Sequence, residues 1–268
     1  MVSLLSIIAL GFFQGMRHAT DPDHVIAVTT IVSRQRSIRR SALIGAFWGL
    51  GHTLTILLVG AAIIVFKLVI PPRLGLGMEL SVALMLIVLG MMNVVSFLRS
   101  APGADLERRG TSASTHSHAH SHGDYVHSHP HRHVPERHGH RPDQTPLAYL
   151  DRMFGGVGFY HYIRPLVVGI VHGLAGSAAV ALLVLTTIRS SNWAIAYLLV
   201  FGIGTIAGMM LITMSIASTL HLLAGSHRFS RALAMASGVL SLAFGIFVAY
   251  QIGFVEGFFT GHPNWIPR

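Results

Sequence analysis

The sequence contains no cysteine. That absence removes thiolate metal sites, disulfides and sulfur redox chemistry, leaving His, Asp, Glu and Met as the side chains able to hold a metal. Charge is also scarce. Only 11% of the 268 residues are Asp, Glu, Lys or Arg, about half the share usual in a soluble domain. A formal charge of +9 remains, carried almost wholly by Arg. These arginines stand beside apolar runs, which suits topology signals and argues against a nucleic-acid surface. Two motifs are missing as well. No Gly-x4-Gly-Lys-Ser/Thr loop offers ATP a phosphate cradle, and the apolar segments hold neither His-Glu-x-x-His nor the repeated His boxes of a membrane metalloenzyme.

What is abundant is apolar sequence, 52% of the chain with a mean hydropathy of +0.60. Several stretches reach about 20 residues, enough for a helix to cross a hydrocarbon core of roughly 30 Å. Six segments run approximately over 3–32, 42–66, 75–98, 165–188, 193–220 and 232–255. They predict an all-α, polytopic membrane helix bundle. Met1 runs into Leu4–Leu10 with no basic stretch, so the start reads as a first membrane segment and not a secretory signal. That segment is too long for one straight span, since about 30 residues at roughly 1.5 Å each cover about 45 Å. It must tilt, break or re-enter.

Arg34, Arg36, Arg39 and Arg40 follow the first segment, and Arg228 and Arg231 follow the fifth. Arg99, Arg108, Arg109, Arg152 and Arg164 border the region between the third and fourth. The opposite side carries only Lys67, Arg73, Arg189 and Arg268. The positive-inside bias then puts both termini outside and the long loop in the cytoplasm. This divides the chain into a first membrane half at 1–99, a polar loop at 100–164, a second membrane half at 165–258 and a short tail at 259–268.

The halves read as inverted repeats. Gly11-Phe12-Phe13-Gln14-Gly15 aligns with Gly169-Ile170-Val171-His172-Gly173, and Thr29-Thr30 falls near Thr186-Thr187. Gly49-Leu50-Gly51-His52-Thr53 resembles Gly202-Ile203-Gly204-Thr205. The first segment runs inward and the fourth outward, giving a 3+3 inverted arrangement with a broken first helix. Secondary transporters are often built this way, with the substrate at the repeat interface. Small residues also recur in any membrane bundle because they let helices approach closely.

The strongest local signal is Arg17-His18-Ala19-Thr20-Asp21-Pro22-Asp23-His24, with two imidazoles and two carboxylates inside apolar sequence. On a regular helix of about 100° per residue, His18, Asp21 and His24 share an arc of roughly 120°, while Asp23 points elsewhere. Pro22 has no amide hydrogen and clashes with the carbonyl of His18, so the helix must kink or unwind there. Such a break brings Asp23 toward the others. A polar turn joining two interfacial pieces is the plainer alternative, but ionisable residues within membrane segments usually mark a site or pathway. His52, beside Gly49 and Gly51, is a further candidate ligand, as is His172 where the first repeat has Gln14. Either could instead be an interhelical hydrogen-bonder. Asn93 could face the same site, whereas Glu79, near the end of its segment, reads as interfacial.

Imidazole with carboxylate suits nickel, cobalt, zinc or copper(II). The loop from 100 to 164 is different material. It holds His116, His118, His120, His122, His127, His129, His131 and His133, then His138 and His140, among Ser, Pro, Gly and Arg. This composition predicts disorder and auxiliary, weak metal binding as a cytoplasmic buffer or sensor. A dispensable linker is the alternative.

Arg17-His18-Ala19-x3-Asp23-His24 resembles the His-x4-Asp-His signature of the nickel/cobalt transporter family, and Leu50-Gly51-His52-Thr53 resembles its second-segment motif. The resemblance covers the membrane portion. In the second half, His172-Gly173-Leu174-Ala175-Gly176-Ser177-Ala178 stands where better-known permeases have an acidic, Thr-containing motif, and looks more like the urease-accessory nickel permease subgroup. The resemblance implies that His18, Asp23, His24 and His52 line the metal path. It implies a bacterial inner-membrane secondary transporter, with nickel or cobalt as substrate and no permanent cofactor. It also implies metallochaperones or urease and hydrogenase maturation factors as partners. Uptake is the favoured direction; efflux, with the His-rich loop as sensor, is the runner-up. Two other classes compete. A membrane metalloenzyme would turn over a substrate on stoichiometric metal, and a haem protein using His52 and His172 would show a Soret band.

Overall fold

The computed structural model describes residues 4–32, 37–99, 116–122, 125–131, 160–188, 190–223, 227–260 and 262–265. Arg34, Arg36, Arg108, Arg109, Arg152, Arg189, Arg268, His133, His138 and His140 lie outside them. The described elements of the membrane portion are helices joined by short turns. Helix α1 covers Leu4–His18, α2 Pro22–Val32, α3 Ile38–Phe66 and α4 Pro72–Arg99. After the polar loop come α5 at Tyr160–Thr187, α6 at Ser191–Leu223 and α7 at His227–Tyr250. A π-helical turn, Gln251–Val255, continues α7.

The ends of these helices have local causes. Ser37 caps α3, its hydroxyl accepting from the Arg40 amide at 3.4 Å, and Lys67 closes α3 in the left-handed region at φ 51. Pro72 opens α4, where the missing amide costs nothing. Among the described residues, four helices are long and apolar enough to cross a membrane: Ile38–Phe66, Pro72–Leu98, Ser191–Leu220 and Ala232–Val255. Pro22–Val32 and Tyr162–Ala175 are shorter apolar helices.

Helix α3 packs on α5 and α6, α1 on α6, and α4 on α7. Glycine sets how close these approaches are. A Cβ on Gly51 would run into the Leu166 carbonyl and stand 3.0 Å from the Ile170 amide. On Gly169 it would meet the Trp48 carbonyl, and on Gly15 the Phe201 carbonyl. Hydroxyls then tie the helices: Thr53 Oγ1 donates to the Gly202 carbonyl at 3.1 Å, and Thr55 Oγ1 to that of Ile170 at 3.0 Å. Asn93 does not reach the His/Asp motif. Its amide donates to the Ala234 carbonyl at 3.1 Å and to Ser237 at 3.3 Å, joining α4 to α7.

Within the His-rich loop the described residues form strands β1, His116–His122, and β2, Tyr125–His131, paired antiparallel with His116 opposite His131, His118 opposite His129 and His120 opposite His127. Poor burial argues against a folded domain, but strict alternation of His with Ser or Ala has the period of an extended strand. The chain end is also engaged. The Trp265 indole donates to Glu79 at 2.8 Å, and its ring lies where a Cβ on Gly75 would fall.

Replacing Gly51 with Leu should destabilise the protein by roughly 1–3 kcal/mol or more, because backbone rather than a flexible side chain occupies the space. Gly77→Ala, which meets only Phe258 at 3.7 Å, should leave stability nearly unchanged. Thermal unfolding in detergent followed by size-exclusion chromatography measures both, and equal melting temperatures would refute the packing account.

Candidate metal site

The first segment breaks where its sequence requires. The Ala19 amide still reaches the Gly15 carbonyl at 3.2 Å, after which the bonds tighten to three-residue turns, Thr20 to Arg17 at 2.8 Å and Asp21 to His18 at 3.1 Å. Pro22 then starts α2, and the Val25 amide bonds the Asp21 carbonyl at 3.1 Å. Pro22 therefore serves as the first residue of a new helix and not as a kink within one. Every backbone group bonded this way keeps a local partner, which an apolar environment demands.

This break turns Asp23 inward. Its Oδ1 accepts from His24 Nδ1 at 3.0 Å and its Oδ2 from His172 Nε2 at 2.9 Å. Asp21 is used differently, its Oδ2 accepting from His18 Nδ1 at 2.8 Å. Three imidazoles thus gather around His24, with ring centroids 4.7 Å away for His18, 5.0 Å for His52 and 4.1 Å for His172. His24, His52 and His172 are buried. The two carboxylates are more open, with 44% of the Asp21 side chain and 32% of Asp23 exposed.

The hydrogen bonds decide which nitrogens can act as ligands. A carboxylate on His18 Nδ1 and another on His24 Nδ1 place the proton there and leave Nε2 as the donor atom in both rings. His18 Nε2 faces His52 Nε2 at 3.0 Å, while His24 Nε2 is buried without a hydrogen-bond partner. Two triplets offer ligand atoms within 4.8 Å of one another: His18, His24 and His52, and Asp23, His24 and His172. All six residues named from the sequence converge here; of these, Asp21 belongs to neither triplet and instead orients His18.

Sequence reasoning missed the apolar wall. Trp48 lies parallel to the His24 ring at 6.4 Å and edge-on to His172 at 5.6 Å, and Phe201 flanks His18 at 5.5 Å. The sequence held a signal, since Trp48 and Phe201 stand immediately before Gly49 and Gly202 in the two similar stretches. Arg17 takes no part and is exposed on the outer face of α1.

The chain matches the family described as high-affinity nickel-transport protein (NicO) over residues 4–259, and it belongs to that family. Its class is therefore that of nickel and cobalt transporters, not enzymes. It is 35% identical to the urease accessory protein UreH of Bacillus sp. (strain TB-90), over 96% of each chain. No solved structure matches it.

Nickel added to the detergent-solubilised protein should raise its unfolding temperature, by the equivalent of about 2.7 kcal/mol at roughly a hundred times the dissociation constant. His24→Ala removes the member common to both triplets and should lose most of that rise. An undiminished rise would place the ion elsewhere.

Proposed function

We propose that the cluster at the α1–α2 break is the ion site of a secondary carrier that brings nickel or cobalt into the cell by alternating access. The observation that carries this reading is the convergence of His18, Asp21, Asp23, His24 and His52 from the first half with His172 from the second. Imidazoles backed by carboxylates suit late first-row divalent ions. The ion is cargo, with no resident cofactor.

Support for a 3+3 inverted repeat, built from halves 1–99 and 165–258, comes from the packing. Exchanging the halves takes α1 to α5, α3 to α6 and α4 to α7. The α1–α6 contact then becomes α5–α3, while α3–α6 and α4–α7 map onto themselves. The glycines follow the same exchange. Gly49 lies against Ile206 and Gly202 against Thr53, and Gly51 abuts Ile170 as Gly204 abuts Phe12. Recurrent small residues alone would not reproduce both members of each pair. Rocking of one half on the other would expose the cluster to each side in turn.

Inward movement of a divalent ion gains about 4.6 kcal/mol per 100 mV of potential. With both termini outside, the His-rich hairpin lies in the cytoplasm. Its register pairs His116 with His131, His118 with His129 and His120 with His127, and so His-rich a stretch would store arriving ions, from which a metallochaperone or a urease or hydrogenase maturation factor would collect them. The accessory title of the UreH relative favours such a recipient.

Radioactive nickel flux into proteoliposomes tests this. Under an inside-negative potential the wild type should accumulate nickel, and His18→Ala and His24→Ala should each lower the initial rate at least about tenfold. Deletion of 112–142 should spare the rate but reduce the ions bound per protein. Full flux in the point variants would sink the site assignment, and flux only outward would reverse the direction.

A further inference from the structure

We infer that the cluster is two overlapping three-ligand positions sharing His24, and that the ion steps from one to the other across the His24 ring. This rests on the reading of the cluster as the transport site. The first position is all nitrogen. His18 Nε2 and His52 Nε2 stand 3.0 Å apart. His24 Nε2, buried and without a hydrogen-bond partner, completes this position.

The second position takes the other nitrogen of the same ring, so the His24 proton passes from Nδ1 to Nε2 as the ion leaves the first position for the second. Asp23 Oδ1 is 3.0 Å from His24 Nδ1, and its Oδ2 is 2.9 Å from His172 Nε2. It differs from the first in two ways. It contains a carboxylate, and it contains the one donor of the cluster that comes from the second half of the chain.

That difference supplies the coupling a carrier needs. An ion held by His18, His24 and His52 touches only α1, α2 and α3, so it places no demand on how the halves sit. Moved to Asp23, His24 and His172, it replaces the hydrogen bond that links α2 to α5 with metal ligation and so strengthens the arrangement in which the halves meet there. Occupancy of the second position thereby becomes the signal for the conformational step. His172 is the positioning residue that transmits it.

The test uses the full-length protein in nanodiscs and proteoliposomes. His172→Gln removes the second position alone, so nickel affinity by calorimetry should stay close to wild type and X-ray absorption should report the same imidazole number. The maximal flux should fall at least about tenfold with little change in KM. His52→Gln should do the opposite, raising Kd and KM at least about tenfold. His172→Asn, read by the same criteria, covers the case in which the glutamine variant folds poorly. The relay is overturned if both His172 variants lose nickel as completely as His52→Gln, which makes one indivisible site, or if either carries nickel at the wild-type maximal rate. Wild-type binding and flux in His24→Ala would overturn the transport-site reading itself.

Discussion

The carboxylate of Asp23, held between His24 and His172, is the contact on which the arrangement of the centre depends. It joins neighbouring residues of α2 to a residue 149 positions away on α5. In a membrane, apolar packing offers little drive for helices to associate, because lipid tails are as apolar as Leu. Polar contacts between helices therefore set specificity out of proportion to their number. Here one side chain fixes the tautomer of two imidazoles and fastens the first half of the chain to the second.

Such a contact requires helices to approach closely, and glycine makes that possible. Gly51 sits against the Leu166 carbonyl one residue before His52, and Gly173 lies beside the His52 carbonyl one residue after His172. Each histidine is thus adjacent to the glycine that lets its helix come near the other. Trp48 and Phe201 fill the volume behind the rings, so the imidazoles stand in a wall of aromatic carbon open mainly at Asp21 and Asp23.

Much of this was legible in the sequence. The spacing from His18 to His24, together with Pro22, foretold the break and the inward turn of Asp23, because proline chemistry and helical periodicity are local. Helices α3 to α7 each begin a few residues earlier than hydropathy alone suggests, since caps such as Ser37 and Pro72 are polar or neutral. His172 was ambiguous for a physical reason: a lone membrane histidine looks the same whether it meets a carboxylate or packs silently, and its partner is far away in sequence. Glu79 read as an interfacial residue, yet it receives the Trp265 indole, a contact between distant positions with no periodic signature. The paired strands escaped notice because composition weighs burial, whereas alternation speaks of geometry.

The break between α1 and α2 also shapes the electric field at the site. Peptide dipoles leave the last turn of α1 negative and the first turn of α2 positive. Both ends converge on Ala19–Asp21, where the His18 carbonyl accepts the Asp21 amide and the Arg17 carbonyl accepts both the amide and the hydroxyl of Thr20. Asp23, in the first turn of α2, offsets the positive end that would otherwise repel a cation. What an approaching ion feels is then the negative end of α1. A continuous helix, such as α5 on the other side, presents no such end, so the two halves differ in electrostatics even where their packing matches.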